Sequence, residues 1–248
     1  MTKRPRYETS FWGEIDQMGG KSNLKIAVVI PVYNEKDRAV ETIKLVLEKM
    51  RKGDVVVVVD DGSSDKSLKL LKSNFSGNKR VYILSHIMNL GKGAAMKTGT
   101  EFAWKLKVSG VIFIDSDGQH NPKYLPMFRK ALRNNNLVFG YRDFGGQMPY
   151  VRKWGNKVAV VLVRRLFNVK RKDLLCGFFG FRKKVYKKIY WGSSRYGVET
   201  EIATRVGKNK LEFSEIKVDT IYIDKYKGVN MIDALKILFN IPFWFFRK

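Results

Sequence analysis

Asp115-Ser116-Asp117 sets two carboxylates one residue apart. Such a pair can share one hard cation, since Mg2+ and Mn2+ prefer oxygen ligands and often bridge to substrate phosphates. Gln119 offers a third oxygen. The spacing alone is equally that of a solvated turn. Asp60-Asp61-Gly62-Ser63-Ser64 is a second polar cluster. A carboxylate there can accept hydrogen bonds from a base N–H or a ribose hydroxyl. The same run reads as a turn leading into a helix, with Ser64 as its N-cap. Asn89-Leu90-Gly91-Lys92-Gly93 is a glycine-flanked lysine at a helix start. Backbone N–H groups and a cation there suit a diphosphate. Its glycine spacing is not that of a Walker P-loop.

The elements that must position these groups alternate. Leu24 to Pro31, the β-branched run Val55 to Val59, Val81 to Leu84 and Val111 to Ile114 read as buried strands. Between them, Val40, Ile43, Leu47 and Met50 recur at helical spacing, as do Leu68, Leu71 and Phe75, and a third helix runs from Gly93 to Lys105. Strands alternating with helices predict a parallel, doubly wound α/β sheet. Three polar clusters fall where strands end: Tyr33-Asn34-Glu35, Asp60-Asp61-Gly62 and Asp115-Ser116-Asp117. Ligands of open parallel sheets bind at the carboxyl ends of strands, so these clusters predict one shared site. Further on, Leu137 to Tyr141 reads as a strand and Val151 to Phe167 as a basic amphipathic helix. Gly177 to Phe181 and Glu212 to Ile223 read as extended, and Glu199 to Val206 as helical.

The 248 residues suffice for one core-forming domain, and 48 Lys plus Arg against 23 Asp plus Glu give a net charge of +25. That excess favours an anionic partner: nucleic acid, an anionic lipid surface or a phosphorylated substrate. Cys176 is the lone cysteine, which excludes an intramolecular disulfide or a cysteine metal cluster and suits a reducing compartment. No run of ~20 apolar residues is present to span a membrane. Residues 1–21 form an expected flexible basic arm and 22–226 the catalytic domain. Residues 227–248 form an amphipathic segment whose Leu235, Leu238, Phe239 and Phe243 to Phe246 suit a membrane interface. Packing of this segment on the domain is the competing expectation.

Taken in order, Pro31-Val32-Tyr33-Asn34-Glu35, Val59-Asp60-Asp61-Gly62-Ser63, Asn89-Leu90-Gly91-Lys92-Gly93 and Asp115-Ser116-Asp117-Gly118-Gln119-His120 resemble family 2 glycosyltransferases. The likeness is to their dolichyl- or polyprenyl-phosphate sugar synthase branch. Gly140-Tyr141-Arg142, Arg152 to Asn156, Asp173 with Cys176-Gly177-Phe178, and Tyr196 to Ile202 extend it, so that it covers roughly residues 24–240. The resemblance implies a GT-A fold, a Rossmann-like and mostly parallel mixed sheet flanked by helices. It implies that Pro31, Tyr33, Glu35, Asp60 and Asp61 hold the base and ribose, with Lys92 and Ser116 also on the donor. It implies that Asp115, Asp117 and Gln119 bind Mg2+ or Mn2+ and the diphosphate, and that Arg142, Arg152 and Asn156 meet the acceptor phosphate. The family carries Ser at the position of Asn156 and before Arg142, where Tyr141 stands here, and a polar residue at that of Leu175.

The implied reaction is inverting transfer of a hexose from a UDP- or GDP-sugar to a lipid phosphate, with Asp115, Asp117 and Arg142 as its catalytic residues. Lys92 would help neutralise the leaving diphosphate. An ionised lipid phosphate needs no general base, whereas a glycan or protein hydroxyl would. Glu199 and Glu201 are the candidate bases, and a helix-start pair is their structural alternative. The implied setting is the cytoplasmic face of a membrane, held peripherally by anionic lipid or by a separate membrane protein. Of a different class is a non-catalytic, basic nucleic-acid-binding protein. The acids clustered at strand ends, where they would repel phosphates, argue against it.

Overall fold

The computed structural model describes residues 24–142, 150–195, 197–219, 240–241 and 243–244, with 150–154 described by backbone alone. The expected arm at 1–21 and most of the expected 227–248 segment lie outside these residues.

The first half runs β1 (Ile26–Val32), α1 (Ala39–Lys49), β2 (Val55–Asp60), α2 (Ser67–Phe75), β3 (Val81–Ser85), α3 (Lys92–Lys105) and β4 (Gly110–Phe113). The second half adds α4 (Leu125–Asn134), β5 (Leu137–Arg142), α5 (Tyr150–Phe167), β6 (Phe179–Arg182), α6 (Tyr186–Ile189), α7 (Val198–Lys208) and β7 (Ser214–Val218). One seven-stranded sheet results, in the order β3-β2-β1-β4-β6-β5-β7. β3, β2, β1 and β4 are parallel. β6 runs antiparallel to both β4 and β5, and β7 parallel to β5. The expected mixed, mostly parallel sheet is thus present.

Alternation explains why the strands read as unbroken apolar runs. Val28, Ile30, Val56 and Val58 face a layer built with Ile43 and Val46 of α1, Leu71 of α2 and Phe128 and Leu132 of α4. Val29, Val57 and Val59 face Met96 of α3, Trp191 and Ile202 of α7. Both faces are covered, so neither can be polar. Each such side chain contributes roughly 1.5–3 kcal/mol of burial.

One expectation needs correction, and one helix was not anticipated. Ser64 is not the cap of α2: that helix begins at Ser67 and its N-cap, Lys66, makes no side-chain cap bond. Asp65 Oδ1 accepts from Ser67 N at 2.8 Å instead, while Ser64 N is taken up by Asn34. The helix α4 carries its buried Leu125, Phe128 and Leu132 on one face, a helical pattern that the strand-centred reading passed over.

A third apolar cluster joins Ala159, Val163 and Phe167 of α5 to Ala203 of α7, Ile241 and Trp244. At those two positions the C-terminal segment packs on the domain, while Phe243 is exposed. Among the described residues no helix is long and apolar enough to cross a membrane.

Candidate active site

The turns that follow β1, β2, β3 and β4 share one edge of the sheet, because the parallel register brings Val32 beside Asp60 and Asp60 beside Ser85. Asn34 ties the first two together. It sits in the left-handed region at φ 54, which Asn tolerates. Its Oδ1 accepts from Ser64 N at 2.9 Å and Asp65 N at 3.3 Å, and its own N–H donates to Ser63 Oγ at 3.0 Å. Glu35 N donates to Ser67 Oγ at 3.0 Å. Tyr33 is exposed beside them and Pro31 half-buried.

Asp60 and Asp61 are both buried and differ in what they do. Asp61 braces the glycine turn: Oδ1 accepts from Leu90 N at 3.0 Å and Oδ2 from Gly91 N at 2.7 Å. His86 Nδ1 lies 2.7 Å from Asp61 Oδ1, and its Nε2 lies 3.0 Å from Thr98 Oγ1. Asp60 Oδ2 accepts from Ser63 N at 3.2 Å, whereas its buried Oδ1 has no hydrogen-bond partner. Of the two acids, Asp60 is therefore the one with an unengaged oxygen. Sequence reasoning passed over His86, although a polar residue just after a strand was the signal used elsewhere.

The glycine turn is locked from the other side. Gly91 has φ 99, and a Cβ there would collide with Ser194 O, so glycine is required twice over. Ala94 N donates to Ser194 O at 3.1 Å and Trp191 Nε1 to Gly93 O at 2.9 Å. Glu201 fixes this 191–194 loop. It accepts from Gly192 N, from Ser193 N and Oγ, and from Arg205 on the next turn of α7.

Lys92, the first residue of α3, reaches the end of β4. Its Nζ lies 2.7 Å from Asp115 Oδ1 and 2.8 Å from Glu199 Oε1. Burial disfavours its charge, yet Asp115 and Glu199 together hold its pKa above the ordinary lysine value. Burial pushes the other way on Asp115 too, and Lys92, His120 and Arg142 outweigh it, leaving that carboxyl below its usual range. Asp117 behaves oppositely. Burial and then the charge of Asp115 push it up to about 6, against one stabilising bond from Gln119 N at 3.0 Å. His120 is pushed down to about 4 by burial and lies 3.9 Å from Asp115 Oδ2. Ser116 is buried, and its carbonyl accepts from Thr42 Oγ1 at 3.3 Å.

Asp115 and Asp117 offer carboxylate oxygens here, the ligand type that suits a hard cation. Gly177 completes the cradle: a Cβ there would collide with Asp115 Oδ2 and stand 2.8 Å from Lys92 Nζ. Among the described residues no group of three or more His, Cys, Asp or Glu gathers for a metal. Two carboxylates fit a cation that completes its shell with substrate phosphates.

On the other side of the site, Arg142 is forked onto Asp173. Its Nε donates to Oδ2 at 2.6 Å and its Nη2 to Oδ1 at 3.1 Å. Asp173 also accepts from Leu175 N at 2.9 Å. Asn156 is engaged through its Oδ1, while its buried Nδ2 has no hydrogen-bond partner among the described residues. It is 1% exposed, and its Oδ1 accepts from Leu174 N at 3.1 Å, so it braces the turn that carries Asp173. Arg152 lies on α5, and its side chain and Tyr196 fall outside the described residues.

The model of the family described as Glycosyl transferase family 2 matches residues 27–190. An uncharacterized protein of Methanocaldococcus jannaschii is 31% identical over 88% of this chain and 90% of its own length. The UDP-N-acetylglucosamine–dolichyl-phosphate N-acetylglucosaminyltransferase of Methanococcus voltae is 28% identical over 87% of this chain and 94% of its own length. Among solved structures, glucosyl-3-phosphoglycerate synthase of Mycobacterium tuberculosis, crystallised with Mn2+, UDP and phosphoglyceric acid, superposes with a TM-score of 0.70. It is 16% identical and the match covers 91% of this chain and 80% of that one.

Proposed function

The chain belongs to glycosyl transferase family 2, and from that premise we propose that it moves a hexose from a UDP- or GDP-sugar to dolichyl or polyprenyl phosphate, inverting the sugar C1. Membership makes it a glycosyltransferase, which displaces the reading as a non-catalytic nucleic-acid binder. The observation that carries the proposal is the Lys92–Asp115 pair beside Asp117, set in the cradle that Gly177 leaves open.

In this reading Asp115 and Asp117, with Gln119, hold Mg2+ or Mn2+, which supplies positive charge to the leaving nucleoside diphosphate. Lys92 adds a second positive charge at the same place. Pro31, Tyr33, Glu35 and Asp60 line the nucleoside side, and Asp61 holds the glycine turn in shape for it. Arg142, oriented by Asp173, receives the acceptor phosphate through fork-shaped, permanently charged contacts, and Arg152 assists from α5.

A lipid phosphate acceptor is supported by the state of the two glutamates. Glu201 is spent on the 192–193 loop and Glu199 is paired with Lys92. A phosphomonoester with a second pKa of about 6 is already ionised near neutrality and asks for no base. The dolichyl-phosphate acceptor in the name of the Methanococcus voltae relative points the same way. The charge of +25 supports peripheral binding to an anionic membrane at its cytoplasmic face.

The test is transfer of label from a panel of UDP- and GDP-sugars, with Mn2+ or Mg2+, into an organic-extractable polyprenyl-phosphate fraction. Metal-dependent lipid product from one donor is the expected result. Metal-dependent donor hydrolysis without lipid product would move the acceptor to a hydroxyl.

A further inference from the structure

We infer that Glu199 is a positioning residue for Lys92: it keeps hold of the ammonium while Asp115 exchanges that partner for a divalent cation, and so holds Lys92 ready for the donor diphosphate. The inference rests on the metal and donor reading given above.

Lys92 stands between two acids from distant parts of the chain, 2.7 Å from Asp115 and 2.8 Å from Glu199. The acids differ in what else they can do. Asp115 ends β4 next to Asp117, so it belongs to a carboxylate pair able to share a cation. Glu199 sits in the first turn of α7 and is buried. A cation on Asp115 repels an ammonium on the same carboxylate, which weakens the Asp115–Lys92 contact and leaves Glu199 as the partner with no competing cation.

Glu199 stays within reach because the starts of α3 and α7 are fastened together. Trp191 Nε1 holds Gly93 O, Ser194 O holds Ala94 N, and Glu201 ties the loop between them to α7. Gly197, at φ 105, turns the chain into α7 at the point that brings Glu199 over Lys92. Room for the ammonium to shift is left by Gly177, whose absent side chain would lie against both Asp115 Oδ2 and Lys92 Nζ. The arrangement gives Lys92 one partner it can give up and one it retains.

The test measures Mn2+ affinity, by the EPR signal of free Mn2+, for wild type, Glu199→Gln, Lys92→Gln and the double variant. Lys92→Gln alone leaves Glu199 buried and unpaired and can fail to fold. The double variant removes both charges together, and circular dichroism and thermal melts verify each protein. Glu199→Gln should weaken Mn2+ binding about tenfold when Lys92 is present, and by much less in the Lys92→Gln background. It should also raise the donor KM more than it lowers kcat. An effect as large or larger without Lys92 would mean that Glu199 acts by its own charge on the cation, and overturns the inference. So would unchanged Mn2+ affinity with a collapse of kcat, the pattern of a general base. Wild-type protein that binds no Mn2+ would remove the metal reading itself, a result distinct from either.

Discussion

Asp61 and Asp173 are both buried acids at the site, one in the parallel half of the sheet and one in the half that follows β4, and they are held by different means. Asp61 takes its bonds chiefly from backbone, Leu90 N and Gly91 N, with His86 alongside. Asp173 is held chiefly by the forked Arg142 guanidinium. The same contrast recurs nearby. Asp117 leans on Gln119 N, while Arg171, buried against the Phe139 ring at 3.7 Å, has Glu215 at 3.8 Å. Backbone donors come with the turn and cost no extra charge, whereas an ion pair makes two distant positions depend on each other.

The largest expected effect tests that dependence. Asp173→Asn leaves Arg142 without its counter-charge and should cost about 3–5 kcal/mol in urea unfolding. Asp61→Asn keeps a carbonyl oxygen for one backbone N–H and should cost only about 1–2 kcal/mol. A reversed order would break the contrast. Next, Gly177→Ala pushes a methyl against Asp115 and Lys92. Both are side-chain ends that can move, so the fold should survive while sugar transfer falls about 100-fold, read as kcat/KM beside an unchanged melting curve.

A smaller effect concerns pH. Asp117 titrates at about 6 in the folded chain against an ordinary value of 3.8. The folded chain thus binds that proton more tightly than the unfolded one, and stability falls as pH rises through this window. Asp117→Asn removes the term. The metal-free variant should be about 1–2 kcal/mol more stable than wild type at pH 7, with the gain gone below the unfolded pKa. Equal stability at pH 7 would mean that the acid is not strained by its surroundings. The smallest effect is that of Ser64→Ala, below about 0.5 kcal/mol by denaturation, because Ser64 caps no helix. A loss of about 1 kcal/mol would restore it as a cap.

The legible part of this protein is its first half. β-branched runs such as Val55 to Val59, each followed by a polar cluster, fix strands and their functional ends together, since a strand buried on both faces can place acids only where it stops. Asp115 and Asp117 are legible in this way, and Lys92 by its place between two glycines at a helix start. The helix at Leu125–Asn134 was equally readable from its spacing. Other roles were not readable. That Asp61 would be consumed by the glycine turn, that Asn156 would brace Leu174, and that Glu199 and Glu201 would part company all depend on which chain segment arrives opposite.

By itself, then, the sequence determined the alternating elements, the order of the motifs and the positions of the acids, because local pattern sets where strands end. Only the tertiary structure decided partners. β6 returns antiparallel beside β4, and that reversal brings Gly177 against Asp115. α7 lies over the start of α3, and that placement gives Lys92 its second acid. Ion pairs and close backbone approaches are made between residues far apart in the chain, and side-chain spacing along one segment carries no information about them.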